Sequence, residues 1–299
     1  MTVRRRCGSE DARSRTIRYR LRRAIDSAAA LLADAGIDSA RHDAEELAAH
    51  ASGTDRGRLP LLDPPPDDEF FERYHDVVTA RSRRVPLQHL TGTVDFGTVT
   101  LRVGPGVFIP RPETETMLEW ATVQQLPARP VIVDLCTGSG ALALALARHW
   151  PAARVLGVDN SETALGYARS NCAGTVVELL RADVTTPGLL TELDGQVDLV
   201  VANPPYVPIG ALLEPEVAHY DPGHAVFGGP DGMTVIAAVT SLAGRWLRPG
   251  GLFAVEHDDT TSSPTAELIR RTGLFDCIIA RRDLADRPRF VTARRRHQP

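Results

Sequence analysis

Apolar residues between Ile17 and about His50 recur at helical spacing, with Leu21, Ile25, Ala28, Leu31 and Leu32 on one stripe. Gly36 is placed to stop this first helix, and a second follows from about Ser39. Three consecutive prolines between Asp63 and Asp68 demand a helix-breaking turn, after which Phe70 to Arg83 resumes the helical period. A small helical bundle over residues 17–84 is therefore expected. From Val85 to Gly106 the pattern changes to β-branched residues alternating with polar ones, Thr91 to Asp95 and Thr98 to Val103 around Phe96-Gly97, which predicts a β-hairpin linker. Glu113 to Val123 reads as a helix with its carboxylates at the end the macrodipole favours.

Beyond Val131, strands and helices alternate. The strands expected are Val131–Leu135, Val155–Val158, Val176–Arg181, Val197–Ala202, Gly251–His257 and Asp276–Arg281. The helices between them are Ala141–His149, Glu162–Cys172, Met233–Trp246 and Pro264–Thr272. This order implies a doubly wound, mostly parallel α/β sheet over residues 107–299, with ligand at the carboxyl ends of the strands.

Composition changes the picture in three respects. With 43% hydrophobic and 24% charged residues the chain is of ordinary globular make-up, and no apolar run approaches the ~18 residues of a membrane span. The four cysteines, Cys7, Cys136, Cys172 and Cys277, form no C-x-x-C pair, which argues against a disulfide framework or zinc site and for a reducing cytoplasm. All 34 basic residues are arginine, so arginine clusters carry less meaning than usual. The first 23 residues hold a net +7, leaving −11 for the rest of a chain whose total is −4. A body this acidic is a poor nucleic-acid binder. The basic head, residues 1–16, is expected to be a disordered leader; a misassigned start or a contact for ribosomal RNA or an anionic surface are the other readings. It is no secretory signal, because Asp26 and Asp34 interrupt the stretch that follows it.

The segment Asp134-Leu-Cys136-Thr137-Gly138-Ser139-Gly140 joins a buried strand to a helix through a glycine turn. Together with Ala143 it matches the dinucleotide fingerprint, which alone is a weak signal. Asp159 ends the next strand, 19 residues after Gly140, where a carboxylate can accept from both hydroxyls of a ribose. Asp134 decides the ligand. A carboxylate there repels a pyrophosphate, whereas S-adenosylmethionine carries an ammonium and a sulfonium that need negative partners. Asp183, after the third strand, is placed to meet an adenine amino group.

The strand Val197–Ala202 runs directly into Asn203-Pro204-Pro205-Tyr206, a rigid turn that keeps Asn203 out of helical geometry. A planar NH₂ beside a carbonyl or ring is a poor nucleophile because its lone pair is delocalised. Accepting its two hydrogens with the Asn203 side-chain oxygen and the Pro204 backbone oxygen orients it and returns density to nitrogen. Tyr206 can pack against the planar group.

With these residues in place the chain resembles the peptide chain release factor N5-glutamine methyltransferase (HemK/PrmC) family from about residue 20 to 295. The likeness extends to Arg84-Val-Pro86-Leu-Gln-His-Leu-Thr-Gly92, to Phe108-Ile-Pro110-Arg111-Pro112-Glu113-Thr-Glu115, and to Phe227-Gly-Gly229-Pro-Asp231-Gly232-Met. It implies a Rossmann-like class I methyltransferase domain behind a helical substrate-recognition domain and a hairpin, with S-adenosylmethionine as cofactor. It further implies a protein substrate in the bacterial cytoplasm, a release factor carrying the target glutamine in a Gly-Gly-Gln loop. Carried over by position, donor contacts fall on Cys136 to Gly140, Asp159, Val184 and Asn203, and the substrate amide meets Asn203 to Tyr206. Cys136 stands where the family often has glycine, Asp221-Pro222 where Glu-Pro is common, and Glu256-His-Asp-Asp-Thr-Thr where Glu-x-Gly-x-x-Gln is frequent.

Three rivals remain at this point. An adenine-N6 nucleic-acid methyltransferase would use the same Asn-Pro-Pro-Tyr turn but needs a basic groove and a flipped-base pocket, which the acidic body opposes. A glutamine methyltransferase for a ribosomal protein is the second, and the Ile-Pro-Arg-Pro-Glu-Thr-Glu stretch disfavours it. A non-catalytic adaptor is the third, and the presence of Asn203 and Asp159 disfavours that.

Overall fold

The computed structural model describes residues 4–62 and 66–297, in two compact units divided between Gly92 and Thr93. The first unit contains α1 (Arg4–Asp34), α2 (Ala40–Ala51), α3 (Asp68–Ser82) and α4 (Leu87–Thr91). The backbone is helical from Arg4, so the helix starts well ahead of Ile17 and runs through most of the segment expected to be a disordered leader. Leu21, Ile25, Ala28 and Leu32 face Ala44, Leu47 and Ala48 of α2 and Phe70, Tyr74 and Val78 of α3, a stripe at helical spacing closing on two others. Leu31, placed on that stripe by sequence, is instead 44% exposed; Leu32 next to it takes the core position. Asp67 caps α3 by accepting from Phe70 N at 2.8 Å. Of the proline turn before it, residues 63–65 lie outside the described residues. Inside the bundle Arg81 and Asp43 form a buried ion pair of 2.7 Å.

The hairpin is shorter than expected. Leu87–Thr91 is a helical turn of the first unit, closed by Gly92 at φ 76°, and only Thr93–Phe96 (β1) and Val99–Arg102 (β2) pair. The expected boundaries at residues 84 and 85 are thereby replaced by one at Gly92.

In the second unit α5 (Pro112–Thr122) precedes a seven-stranded sheet in the order β5-β4-β3-β6-β7-β9-β8. The strands are β3 (Val131–Leu135), β4 (Arg154–Asp159), β5 (Val177–Arg181), β6 (Val197–Ala202), β7 (Leu247–Glu256), β8 (Phe275–Arg282) and β9 (Pro288–Arg295). The helices α6 (Ala141–His149), α7 (Glu162–Asn171), α8 (Pro215–Tyr220), α9 (Gly223–Val226), α10 (Thr234–Trp246) and α11 (Ser262–Arg271) connect them. Strands β3 to β7 are parallel and β9 is antiparallel to both its neighbours. This last strand, absent from the sequence reading, inserts between β7 and β8 and buries Phe290, Val291 and Ala293.

The chain enters at β3, winds outward to β5, then returns to β6 on the other side of β3. A crevice opens at such a reversal, outside the carboxyl ends of the strands. Register places the key residues there: Leu135 pairs with both Val158 and Ala202, and Ala202 pairs with Val255. The residues next along the chain, Cys136, Asp159, Asn203 and Glu256, therefore share one edge.

Candidate active site

A cavity of about 640 Å³ opens at that edge, within the second unit. Asp134, Cys136, Thr137, Gly138, Ser139, Asp159, Asp183 and Val184 line it from the strand ends and loops of β3, β4 and β5, and Asn203, Pro204, Pro205 and Tyr206 from the end of β6. Gly140 is not among the lining residues. At φ 85° it turns the chain into α6, and a Cβ there would meet Cys172 Sγ at 3.1 Å and Ala168 Cβ at 3.3 Å, so its glycine serves helix packing. Gly138, at φ 57°, has nothing within 4 Å of where a Cβ would stand, as befits a backbone that a ligand approaches closely.

Asp134 is fully buried. Its Oδ2 accepts from Thr137 Oγ1 at 2.6 Å and from Ala143 N at 3.0 Å, while its Oδ1 has no hydrogen-bond partner. Burial pushes this carboxyl up to about 7, against the two hydrogen bonds that favour ionisation and with the repulsion of Asp159 adding to the rise. Asp159 braces the glycine turn, accepting from Gly138 N and Ser161 N, each at 2.9 Å. Asp183 accepts from Thr185 N at 2.8 Å and Thr185 Oγ1 at 2.7 Å, a local turn that holds it at the rim. Cys136 lies at φ 61°, which explains why glycine suits this position: the left-handed region strains any residue with a Cβ. Burial, and then the carboxylates of Asp159, Asp134 and Asp183, push its thiol well up, so it stays protonated.

The lining at the end of β6 rests on side chains drawn from distant segments. Asn203 Nδ2 donates to Thr114 Oγ1 at 3.1 Å, Thr114 Oγ1 donates to Glu256 Oε2 at 2.8 Å, and Tyr206 Oη donates to Glu256 Oε1 at 3.0 Å. Glu256 is 1% exposed, and burial pushes its carboxyl up to about 7 although Thr114, Tyr206 and Arg289 favour the anion. Tyr206 is held protonated by burial and by the neighbouring carboxylate. Arg289 lines the same cavity and pairs with Asp283 at 3.2 Å. One wall is closed by Arg111, which stacks over Phe108 and reaches Asp221 at 2.6 Å. Sequence marks Glu256 only as the start of the Glu256-His-Asp-Asp-Thr-Thr stretch and gives Thr114 and Arg289 no role. Thr114 lies inside the Pro112-Glu113-Thr-Glu115 segment, which marked the region without marking the residue.

S-adenosylmethionine fits this arrangement: a buried carboxylate oxygen without a partner suits its ammonium, and the open side of Gly138 leaves room for close approach. Among the described residues no group of His, Cys, Asp and Glu could hold a metal ion, and no helix is long and apolar enough to cross a membrane.

Comparison with known proteins agrees. Residues 23–92 match the PrmC N-terminal domain model and residues 132–212 a methyltransferase domain model. Over 279 residues, 92% of this chain and 91% of the relative, it is 72% identical to a release factor glutamine methyltransferase of Mycobacterium tuberculosis. It is 70% identical to one of Mycobacterium leprae, over 93% of this chain and 97% of that one. A more distant relative, 40% identical over 85% of this chain and 88% of its own length, is the 4-amino-L-phenylalanine/4-methylamino-L-phenylalanine methyltransferase of Streptomyces pristinaespiralis. The α/β domain is thus a class I methyltransferase that takes its methyl group from S-adenosylmethionine, and the chain belongs to the release factor glutamine methyltransferase family.

Proposed function

We propose that this protein methylates the side-chain amide nitrogen (N5) of the glutamine in the Gly-Gly-Gln loop of peptide chain release factors, in the bacterial cytoplasm. The observation that carries the reading is the Asn203-Pro204-Pro205-Tyr206 turn at the end of β6, lining a cavity that Asp134, with its unpartnered Oδ1, also lines. S-adenosylmethionine, when bound, supplies a methyl group activated by its sulfonium. Asp134 pairs with the ammonium of the donor, Asp159 accepts from the ribose hydroxyls, and Asp183 and Val184 flank the adenine.

At the acceptor end, Asn203 Oδ1 and the Pro204 carbonyl take the two amide hydrogens, turning the nitrogen lone pair toward the methyl group. Tyr206 packs against the amide plane. The donor would supply the electrophilic methyl group and the amide nitrogen the lone pair that takes it. Nitrogen then sheds one hydrogen as a proton, which has become acidic, so no general base is needed at the start. The arylamine substrate named for the Streptomyces pristinaespiralis relative is also a planar NH₂ with a delocalised lone pair, in keeping with what this turn handles. Identities of 70–72% to the release factor enzymes favour the glutamine amide here.

Labelled donor offered with a release factor, its Gln→Glu variant, a ribosomal protein and DNA tests the reading. The release factor should take label and its Glu variant none, because a carboxylate has no hydrogens to give and its charge meets two oxygens. Label on DNA or on the ribosomal protein but not on the release factor would reject the proposal.

A further inference from the structure

An asparagine can present either end of its amide, and only its partners decide which. The acceptor mechanism requires the oxygen of Asn203 toward the substrate; with the NH₂ there, hydrogens would face hydrogens. The chain Asn203–Thr114–Glu256 removes that freedom. Glu256 is buried at the end of β7, next to Asn203 through the Ala202–Val255 register, and as an anion it can only accept. Thr114, 4% exposed on the first turn of α5, has one hydroxyl proton and commits it to Glu256 Oε2 at 2.8 Å. Its oxygen can then only accept, so the end of Asn203 that faces it at 3.1 Å is the NH₂. A flipped amide would set oxygen against oxygen and leave a buried group unsatisfied. Tyr206 donates its proton to the other oxygen of the same carboxylate, which ties the packing ring to the same anchor.

We infer that Thr114 and Glu256 are positioning residues that hold the Asn203 amide with its oxygen, not its NH₂, presented to the acceptor nitrogen. The inference rests on the glutamine-amide reading above. Thr114 lines the cavity, but its hydroxyl is taken up by Glu256 and Asn203; both residues act through Asn203, and Glu256 through Tyr206 as well.

Thr114→Val keeps the shape and removes the hydroxyl, whereas Thr114→Ser keeps the hydroxyl and removes the methyl. Single-turnover methylation of a release factor by the full chain at pH 8, above the value of about 7 for Glu256, separates them. T114V should lower kcat about tenfold, leave calorimetric affinity for S-adenosylmethionine within twofold and melt within a few degrees of the parent, while T114S stays within threefold of it. If T114V fails to melt cooperatively, Glu256→Gln takes its place. Its amide can give a hydrogen to Thr114, which frees the threonine proton and lifts the constraint on Asn203, and the same tenfold loss is expected. A loss below threefold in the tested variant, a matching loss in T114S, or a loss confined to donor affinity would overturn the inference. Failure of the parent chain to label the release factor would strike at the substrate reading instead, so the two failures are distinguishable.

Discussion

The two ends of the cavity are built by different means. At the donor end the bracing contacts are local: Asp134 with Thr137 and Ala143, Asp159 with Gly138 and Ser161, Asp183 with Thr185. None spans more than 21 residues. They form within single β-α-β passages and use backbone N–H groups as much as side chains. At the acceptor end Asn203 meets Thr114 across 89 residues, Tyr206 meets Glu256 across 50, and Thr114 meets Glu256 across 142. That end exists only when α5, β6 and β7 have all docked, and it is made of side-chain polar groups that must all be satisfied together. Injury to the donor end should therefore show in binding, and injury to the acceptor end in turnover.

The largest effect that division predicts is at Asn203. Asn203→Ala should lower kcat for release factor methylation by ~10²-fold, as loss of one preorganised polar partner typically does. Donor affinity, measured by calorimetry on the same preparation, should fall by less than turnover does. A variant that instead lost donor binding and kept its turnover would place Asn203 at the wrong end of the cavity.

Next in size is a pH dependence at the donor end. Asp134, raised to about 7 by burial, is protonated below that value and ionised above it. In the arrangement proposed only the anion pairs with the donor's ammonium, so the sign is fixed: donor affinity should be highest well above pH 7 and should fall as pH drops through it. Below pH 7 the affinity should drop by about tenfold per pH unit. Asp134→Asn carries no charge at any pH, so its affinity should be weaker at pH 7.5 and nearly flat from there to pH 5.5. Equal slopes for parent and variant would mean that another group responds to the donor.

How much of this was legible in the sequence follows the same division. The sheet, its parallel strands and the glycine turn were readable because each is a short apolar run or a contiguous motif; β3 and β6 have the bounds expected of them. That Asp134, Asp159, Asp183 and the Asn203–Tyr206 turn line one cavity is legible because a strand end tells where its next residue lies. What was not legible is whatever depends on two distant segments meeting. Thr114 looks like any threonine near a helix start, Glu256 like a strand-end acid, and Arg289 lies on β9, a strand the reading omitted. The register that sets Val255 beside Ala202 brings Glu256 to Asn203, the pairing of β9 with β7 brings Arg289 there, and α5 brings Thr114. For Gly140 the close approach of Ala168 and Cys172, which sequence does not show, adds a packing reason for the missing Cβ.

The smallest effect concerns Cys136, and it tests whether the donor end is truly built from backbone. At φ 61° this residue is in the left-handed region, which costs a residue with a Cβ ~1–2 kcal/mol. Glycine removes that strain, yet it also loosens the unfolded chain by ~0.4–1 kcal/mol and gives up the packing of a half-buried sulfur. The terms oppose and are of similar size, so Cys136→Gly should leave stability within about 1 kcal/mol and donor affinity within about twofold. Cys136→Val reverses the balance. A β-branched residue at this φ is an outlier, so the turn must shift, and with it the N–H of Gly138 that donates to Asp159. Denaturant melts and calorimetry on the pair of variants should show V weakening both stability and donor binding while G leaves both near the parent. If G binds the donor as poorly as V, the sulfur itself makes a contact that the backbone account leaves out.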